Sequence, residues 1–334
     1  MKKLRTLFYG MTHEHAPGKL ETLKRLRDIF DIVAIVDDRS VASPYSQNEL
    51  FVPEKTPLIS PEEVEAIRDI DVAFIEVTNA DLLPVASYCA KRGIPMHCDK
   101  PCGEAMEPYR SIVEMCRAKN LPFQIGYMYR GNPALQFAWK AVREGILGDV
   151  AFIEADMNHD YGSAGYEKYI ASFKGGILYN LGCHLVDLTL PFVKGELKDV
   201  VSFIDEAPQD PKGSRTNGKA ILRFDGTDVL IRTCSHMPGG ILRRRLRLDG
   251  SNGTLEICPI ERFDGEKLEL TLTLKESACG YAAGMNRIDF GVQTDRYAPQ
   301  LIDLAQIVRG EKPNDQDYDR DLKVHEITLK MCQF

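Results

Sequence analysis

Residues 10–15 read Gly-Met-Thr-His-Glu-His and close an apolar run that begins at Leu4. Two histidines at i and i+2 on a strand point the same way and can share one metal ion. The same place, at the end of a first strand, is where a dinucleotide pyrophosphate meets a glycine turn and a helix N-terminus. Of the G-x-G-x-x-G pattern only Gly10 is present, so Met11, Thr12 and His13 would have to supply the remaining contacts. Further along, Asn180, His184 and Asp187 fall at i, i+4 and i+7. On a helix they share one face. A histidine with a pKa near 6.5 suits proton transfer near neutral pH.

The elements that must hold these residues are legible in outline. Strands are predicted over 4–10, 32–37, 72–77, 94–98 and 123–127. Helices are predicted over 19–29, 81–91 and 106–119, and Ser60-Pro61-Glu62-Glu63 reads as a helix start. Such alternation implies βαβ units and a doubly wound parallel sheet, a Rossmann-type α/β domain over residues 1–125. Residues 126–334 read as an α+β domain with an open, mostly antiparallel sheet. Helices are expected over 133–144 and 176–193. Serial strands follow over 199–204, 220–224, 229–235, 242–249, 254–257 and 268–274, and two helices over 294–308 and 318–331 close the chain.

Ligands of parallel-sheet folds lie beyond the carboxyl ends of the strands. Those ends carry Gly10-Met11-Thr12-His13, Asp37-Asp38, Thr78-Asn79 and Asp99-Lys100-Pro101. Asp37 can accept from a ribose 2′-hydroxyl and would repel a 2′-phosphate, favouring NAD over NADP; neighbouring Arg39 blurs that preference.

Composition narrows the function classes. The chain has 334 residues, 44% hydrophobic and 27% charged, with a net charge of −7. That is ordinary for a globular protein, and the sign argues against a nucleic-acid partner. No apolar run approaches the ~18 residues of a membrane span. The basic start, Met1-Lys2-Lys3, leads into a stretch too short for a signal peptide, so a cytoplasmic protein is expected. The nine cysteines are an odd, scattered set, read as reduced thiols rather than a disulfide framework. Cys98 and Cys102 lack the second pair a zinc site needs, and no metal centre is expected.

Three stretches carry a family resemblance. "MHCDKPCGEA" (96–105) resembles the E-K-P signature of the glucose–fructose oxidoreductase / inositol dehydrogenase (Gfo/Idh/MocA) family. "GGILYNLGCHLVDL" (175–188) is similar to its G-G-x-x-x-D-x-G-x-H-x-x-D helix start. "GYMYRGNPALQFAWKAVREGILGDV" (126–150) resembles its domain-junction segment. The resemblance implies NAD(P)-dependent oxidation or reduction of a sugar, inositol or sugar derivative, and the charge and hydropathy just described lead to no nucleic-acid or membrane partner being expected. It implies a homodimer or homotetramer formed through the C-terminal sheet. It implies that Lys100 holds the reacting hydroxyl at the nicotinamide and that His184 takes or gives its proton, with Asn180 where many members have Asp. Thr78, Asn79 and Asp99 would border the cofactor. Tyr127, Arg130 and Asp187 would lie near the substrate, and His159 and Tyr161, after the second domain's first strand, join them as pocket candidates, with His236 a weaker one. The chemistry is coherent: the cofactor accepts the hydride, a histidine moves the proton, and a lysine stabilises alkoxide charge. Two other classes remain open. One is a non-catalytic dinucleotide-binding protein on this fold. The other is a metal-dependent hydrolase using His13 and His15, which the serial strands of the second half oppose, since a (β/α)8 barrel alternates to its end.

Overall fold

In the computed structural model, strand β1 (Leu4–Tyr9) carries Leu4, Leu7 and Phe8 into a core. The structure describes residues 2–41, 43–46, 56–160 and 164–334. Helix α1 (Ala16–Arg25) follows β1, with Leu20 and Leu23 buried one turn apart, then β2 (Phe30–Val36) and the two-residue β3 (Leu58–Ile59). The predicted helix start at Ser60 is a single 3-10 segment, Pro61–Ala66, held by a Ser60/Glu63 capping box. Strands β4 (Val72–Ile75), β5 (Met96–Cys98) and β6 (Phe123–Ile125) alternate with α2 (Leu82–Arg92) and α3 (Met106–Ala118). The six strands pair in parallel in the order β3-β2-β1-β4-β5-β6. This is the doubly wound sheet expected from the alternation.

The second unit begins with α4 (Pro133–Arg143), capped by the Asn132 side chain, which accepts from the Ala134 and Leu135 amides. Strand β7 (Val150–Asn158) follows, then α5 (Ala164–Ser172), a helix that falls between the two helices expected over 133–144 and 176–193. The helix expected over 176–193 is not continuous. It divides into α6 (Gly176–Asn180) and α7 (Gly182–Thr189) at Leu181, with a 3-10 turn at Leu190–Phe192. Asn180 therefore ends one helix while His184 and Asp187 ride the next. Strands β8 (Asp199–Asp205), β9 (Asn217–Arg223), β10 (Asp228–Cys234), β11 (Arg245–Gly250), β12 (Gly253–Ile257), β13 (Lys267–Leu274) and β14 (Gly284–Val292) complete the sheet. Sequence reading omits β14, whose side chains are mostly exposed and follow no apolar alternation. The order is β14-β13-β12-β11-β7-β10-β9-β8. All pairs are antiparallel except central β7 with β10.

Helix α8 (Ala298–Val308) and helix α9 (Tyr318–Met331) end the chain. Sequence reading places residues 297–325 in the second domain. In the structure they pack with the first unit, which comprises Met1–Met128 and Tyr297–His325; the second comprises Tyr129–Arg296 and Glu326–Phe334. Leu301, Leu304 and Ala305 of α8 share one buried cluster with Phe8, Leu20, Leu23, Phe30 and Phe74.

Candidate functional site

Gly10 sits at φ +97°, a conformation L side chains rarely adopt. A Cβ there would stand 2.4 Å from Val77 Cγ1 and 2.8 Å from the Val77 nitrogen, so this glycine lets the chain after β1 pass close beside the end of β4. The turn that follows is already engaged. The Met11 amide donates to Asp38 Oδ1 at 2.7 Å, the Thr12 hydroxyl donates to Asp38 Oδ2, and the His13 amide donates to the Glu76 carbonyl at 3.0 Å. Asp38 is nearly buried, and burial raises its carboxyl above the usual range despite those donors. Pro17, in the first turn of α1, has no N–H to offer.

Behind the turn lies a buried charge network that no spacing rule revealed. Lys19 Nζ donates to Asp99 Oδ2 at 2.5 Å and lies 2.9 Å from Glu76 Oε1, all three side chains being within 1% of complete burial. A Cβ on Gly126 would fall 2.9 Å from Asp99 Oδ1, so the glycine after β6 makes room for this pair. Burial opposes the Lys19 charge, but Asp99 and Glu76 outweigh it and hold the lysine above its ordinary pKa. Burial also opposes the Asp99 charge, and the Lys19 ammonium and the His15 ring outweigh that, holding Asp99 well below the carboxylate range. Glu76 goes the other way. Desolvation, with Asp99 adding to it, pushes Glu76 well above its ordinary value. One ammonium shared by two buried carboxylates leaves one of them to keep its proton.

Asp99 also fixes Lys100. Its Oδ1 accepts the Lys100 amide at 2.7 Å, while the Lys100 carbonyl accepts from His13 Nε2 at 3.2 Å and the Asn79 amide group donates to the Pro101 carbonyl at 3.2 Å. The Lys100–Pro101 peptide is cis. The Lys100 side chain is buried, with Nζ donating to Glu14 Oε1 at 3.2 Å. His13 accepts the His15 amide at Nδ1, 3.2 Å, so its proton is on Nε2 and the ring is neutral. Burial drives its pKa down to about 4. His15 Nδ1 lies 3.0 Å from Asp99 Oδ2. His13, His15 and Asp99 have metal-ligand spacing, but the Lys19 ammonium already stands on the carboxylate they would share.

At the end of β2, Asp37 is held by Arg39: Nε donates at 2.8 Å and Nη2 at 2.7 Å. Arg39 lowers the Asp37 pKa. An open pocket of about 510 Å³ adjoins them, lined by Asp37, Arg39, Ser40, Ser46, Leu58, Ile59 and Ser60. Its size and polar rim fit the adenosine end of a dinucleotide. Thr78 turns inward on its own loop, donating to Asp81 Oδ2 at 2.6 Å.

In the second unit, His184 is buried and lies edge-on to Tyr129 at 5.2 Å between ring centroids. Asn180 is fully buried, its amide donating to the Tyr166 hydroxyl at 3.4 Å. Asp187 is committed to Arg130, which donates from Nη2 at 2.7 Å and Nε at 3.0 Å. His159 accepts from Arg244 Nη2 at Nδ1, 3.0 Å. A guanidinium only donates, so the proton of His159 is on Nε2. Arg244 is buried, pairs with Glu261 and donates to the Tyr129 hydroxyl at 2.9 Å; that hydroxyl donates to Glu261 Oε1 at 2.8 Å. Tyr127 is buried in the first unit, and Tyr161 lies outside the described residues. Sequence reading passed over Glu14, Lys19, Glu76, Tyr129, Arg244 and Glu261. Lys19 and Arg244 look like surface cations in sequence, and only tertiary placement distinguishes them.

The parallel sheet, its loaded carboxyl edge and the eight-stranded mixed sheet define a two-domain Rossmann-type protein. Residues 135–256 match the model of the GFO/IDH/MocA C-terminal domain family, and the family resemblance read from the motifs is borne out. The chain is 23% identical over 268 residues to D-apiose dehydrogenase of Paraburkholderia graminis, covering 77% of this chain and 67% of that one. It is 25% identical over 157 residues to the rhizopine catabolism protein MocA of Rhizobium meliloti, covering 46% of this chain and 48% of that one. The chain thus spans about two thirds of the first relative and about half of the second. An inositol dehydrogenase homologue from Azotobacter vinelandii, complexed with NADH and myo-inositol, shares the fold at a TM-score of 0.77 and 16% identity, covering 99% of this chain and 96% of that one. Among the described residues, no helix is long and apolar enough to cross a membrane.

Proposed function

We propose that this protein is a nicotinamide-dependent oxidoreductase acting at a carbon–oxygen bond of a sugar, inositol or sugar derivative. The observation that carries the reading is Lys100: a buried ammonium at the carboxyl edge of the parallel sheet, with its backbone pinned by Asp99 and His13 and its Nζ oriented by Glu14. So much fixed structure around one lysine suits a residue that must meet a reacting oxygen at a set position. The relatives' names, apiose dehydrogenase among them, support the substrate class.

The nicotinamide cofactor, when bound, accepts or supplies the hydride. The pocket of Asp37, Arg39, Ser40, Ser46 and Ser60 would take its adenosine end, and Gly10 to His13, Thr78 and Asn79 would border the rest. Lys100 steadies the reacting hydroxyl and its developing negative charge, and His184 takes or returns the hydroxyl proton. Asn180, an amide where many family members carry a carboxylate, can only orient the ring or the substrate. Arg130, Asp187, His159 and Tyr127 shape the substrate side. Exposed Val201 on β8 stands directly across from exposed Ile221 on β9, with Phe203 54% exposed nearby. Such a face suits a homodimer or homotetramer built on the sheet.

Lys100→Met tests the reading. Turnover of a sugar and polyol panel with NAD⁺ and NADP⁺ should fall to background, while NADH binding, followed by nicotinamide fluorescence, stays within a few-fold. Full activity in the variant overturns the assignment. The occupied turn amides and the Glu14 carboxylate favour one second reading, a dinucleotide-binding protein without turnover. It predicts saturable NADH binding in the parent and no activity on any member of the panel.

A further inference from the structure

Helix α5, the loop between β8 and β9, and the residue two beyond the end of β10 meet at Glu167, Asp210 and His236 in the second unit. His236 Nε2 lies 3.3 Å from Asp210 Oδ1 and 3.6 Å from Glu167 Oε1. The Asp210 side chain is only 2% exposed, and those of His236 and Glu167 are 12% and 17% exposed. Nε2 itself is buried and makes no hydrogen bond among the described residues. The two carboxylate oxygens are therefore close to the ring nitrogen without being aligned to accept from it.

That is the arrangement of ligands around a cation rather than of a donor and its acceptors. Zinc–nitrogen and zinc–oxygen bonds of about 2.1 Å in a tetrahedron put ligand atoms about 3.4 Å apart. The observed 3.3 and 3.6 Å straddle that edge. One neutral imidazole and two carboxylates carry a charge of −2, which a divalent ion cancels. The imidazole selects against magnesium and calcium, which prefer all-oxygen shells. Asp210 is held from behind, its other oxygen accepting from the Thr216 hydroxyl. Such outer partners orient metal-binding carboxylates.

We propose that Glu167, Asp210 and His236 form a binding site for a zinc-class divalent cation, with a fourth position left for water. The ion ties α5 and the β8–β9 loop to the end of β10. It also braces His159, because Asp160 bridges to His236 and the Met237 amide donates to the His159 carbonyl at 2.9 Å. The site is separate from His13, His15 and Asp99, where Lys19 occupies the shared carboxylate, and it stands whether or not the oxidoreductase reading does.

The test is zinc titration of the EDTA-stripped full chain by calorimetry, with magnesium and calcium as controls, in the parent, His236→Ala, Asp210→Asn and His15→Ala. The near-isosteric Asp210→Asn guards against simple misfolding, and circular dichroism checks each variant. The expected result is one equivalent of zinc per parent chain, a raised melting temperature on binding, and affinity weakened at least about tenfold by His236→Ala and Asp210→Asn but not by His15→Ala. Absence of saturable zinc binding in the parent overturns the proposal. So does loss of binding in His15→Ala with retention in the other two, or unchanged affinity in folded Asp210→Asn. Anomalous scattering at the zinc edge from a soaked crystal should peak beside His236 Nε2, and a peak elsewhere alone overturns it as well.

Discussion

Acidification should destabilise the first unit as its buried histidines are forced to take up protons. Three histidines in that unit are buried and neutral: burial takes His13 and His325 down to about 4 and His97 down to about 3. Each has its single required proton placed. His13 and His325 donate from Nε2 to the Lys100 and Ala105 carbonyls, and His97 donates from Nδ1 to the Gln124 side-chain oxygen. In the unfolded chain they titrate near 6.5. Below that pH the unfolded state binds protons the folded state refuses, so stability is complete above about 6.5 and is lost as the pH falls towards 4. At about 1.4 kcal/mol per proton per pH unit, the three together forfeit about 7 kcal/mol between pH 6.5 and 4.5. Glu76, held well above its ordinary value, keeps a proton in the folded state and offsets up to one of the three. The net loss is then about 4 to 7 kcal/mol, comparable with the whole stability of a typical domain. Urea denaturation followed by far-UV circular dichroism at pH 7.5, 6.5, 5.5 and 4.5 measures it. His325→Gln, which keeps a donor for the Ala105 carbonyl, should reduce the loss by about 2 kcal/mol. A stability that changes by less than about 1 kcal/mol across that range, or a slope untouched by His325→Gln, would refute the assignment of these rings as buried and neutral.

Two further outcomes follow from the turn and the β2 pocket. Gly10→Ala combines a left-handed backbone with a Cβ 2.4 Å from Val77 Cγ1. It should cost about 2 to 4 kcal/mol, read as a lowered melting temperature, and a neutral effect would mean that the turn can move away from β4. Arg39→Ala should release the Asp37 carboxylate that Arg39 now holds from two nitrogens. NADPH affinity should then fall about tenfold with NADH kept within about threefold, whereas equal losses in a fluorescence titration would place neither residue at the ribose.

The fold was readable wherever one physical period dominated. The β-branched runs and amphipathic helices of the first 125 residues gave strands and helices in the right places, and the 3.6-residue pattern over 318–331 matched α9 end to end. Period alone did not show the break at Leu181 between α6 and α7, because the apolar pattern runs through it unbroken. Nor did it show that α8 packs with the first unit, since an apolar helix face does not name its partner. In the candidate site, Lys100, Asn79 and Asp99 were found through their place at strand ends. The network that holds them was hidden because Lys19, Glu76 and Glu14 are common residue types whose roles come from burial and mutual approach.

The discontinuity of the first unit bears on synthesis. Its core includes Leu301, Leu304 and Ala305, yet its strands are complete by residue 125. A nascent chain at that point lacks the helix that shields Phe8, Leu20 and Phe74. At ~5 to 20 residues per second, the intervening residues take on the order of 10 to 30 s to emerge. For that interval the ribosome carries a parallel sheet whose α1-covered face still lacks α8, and final closure of the first unit awaits synthesis of that helix. A message truncated before Tyr297 would release that open face into solution, where aggregation or chaperone capture competes with folding.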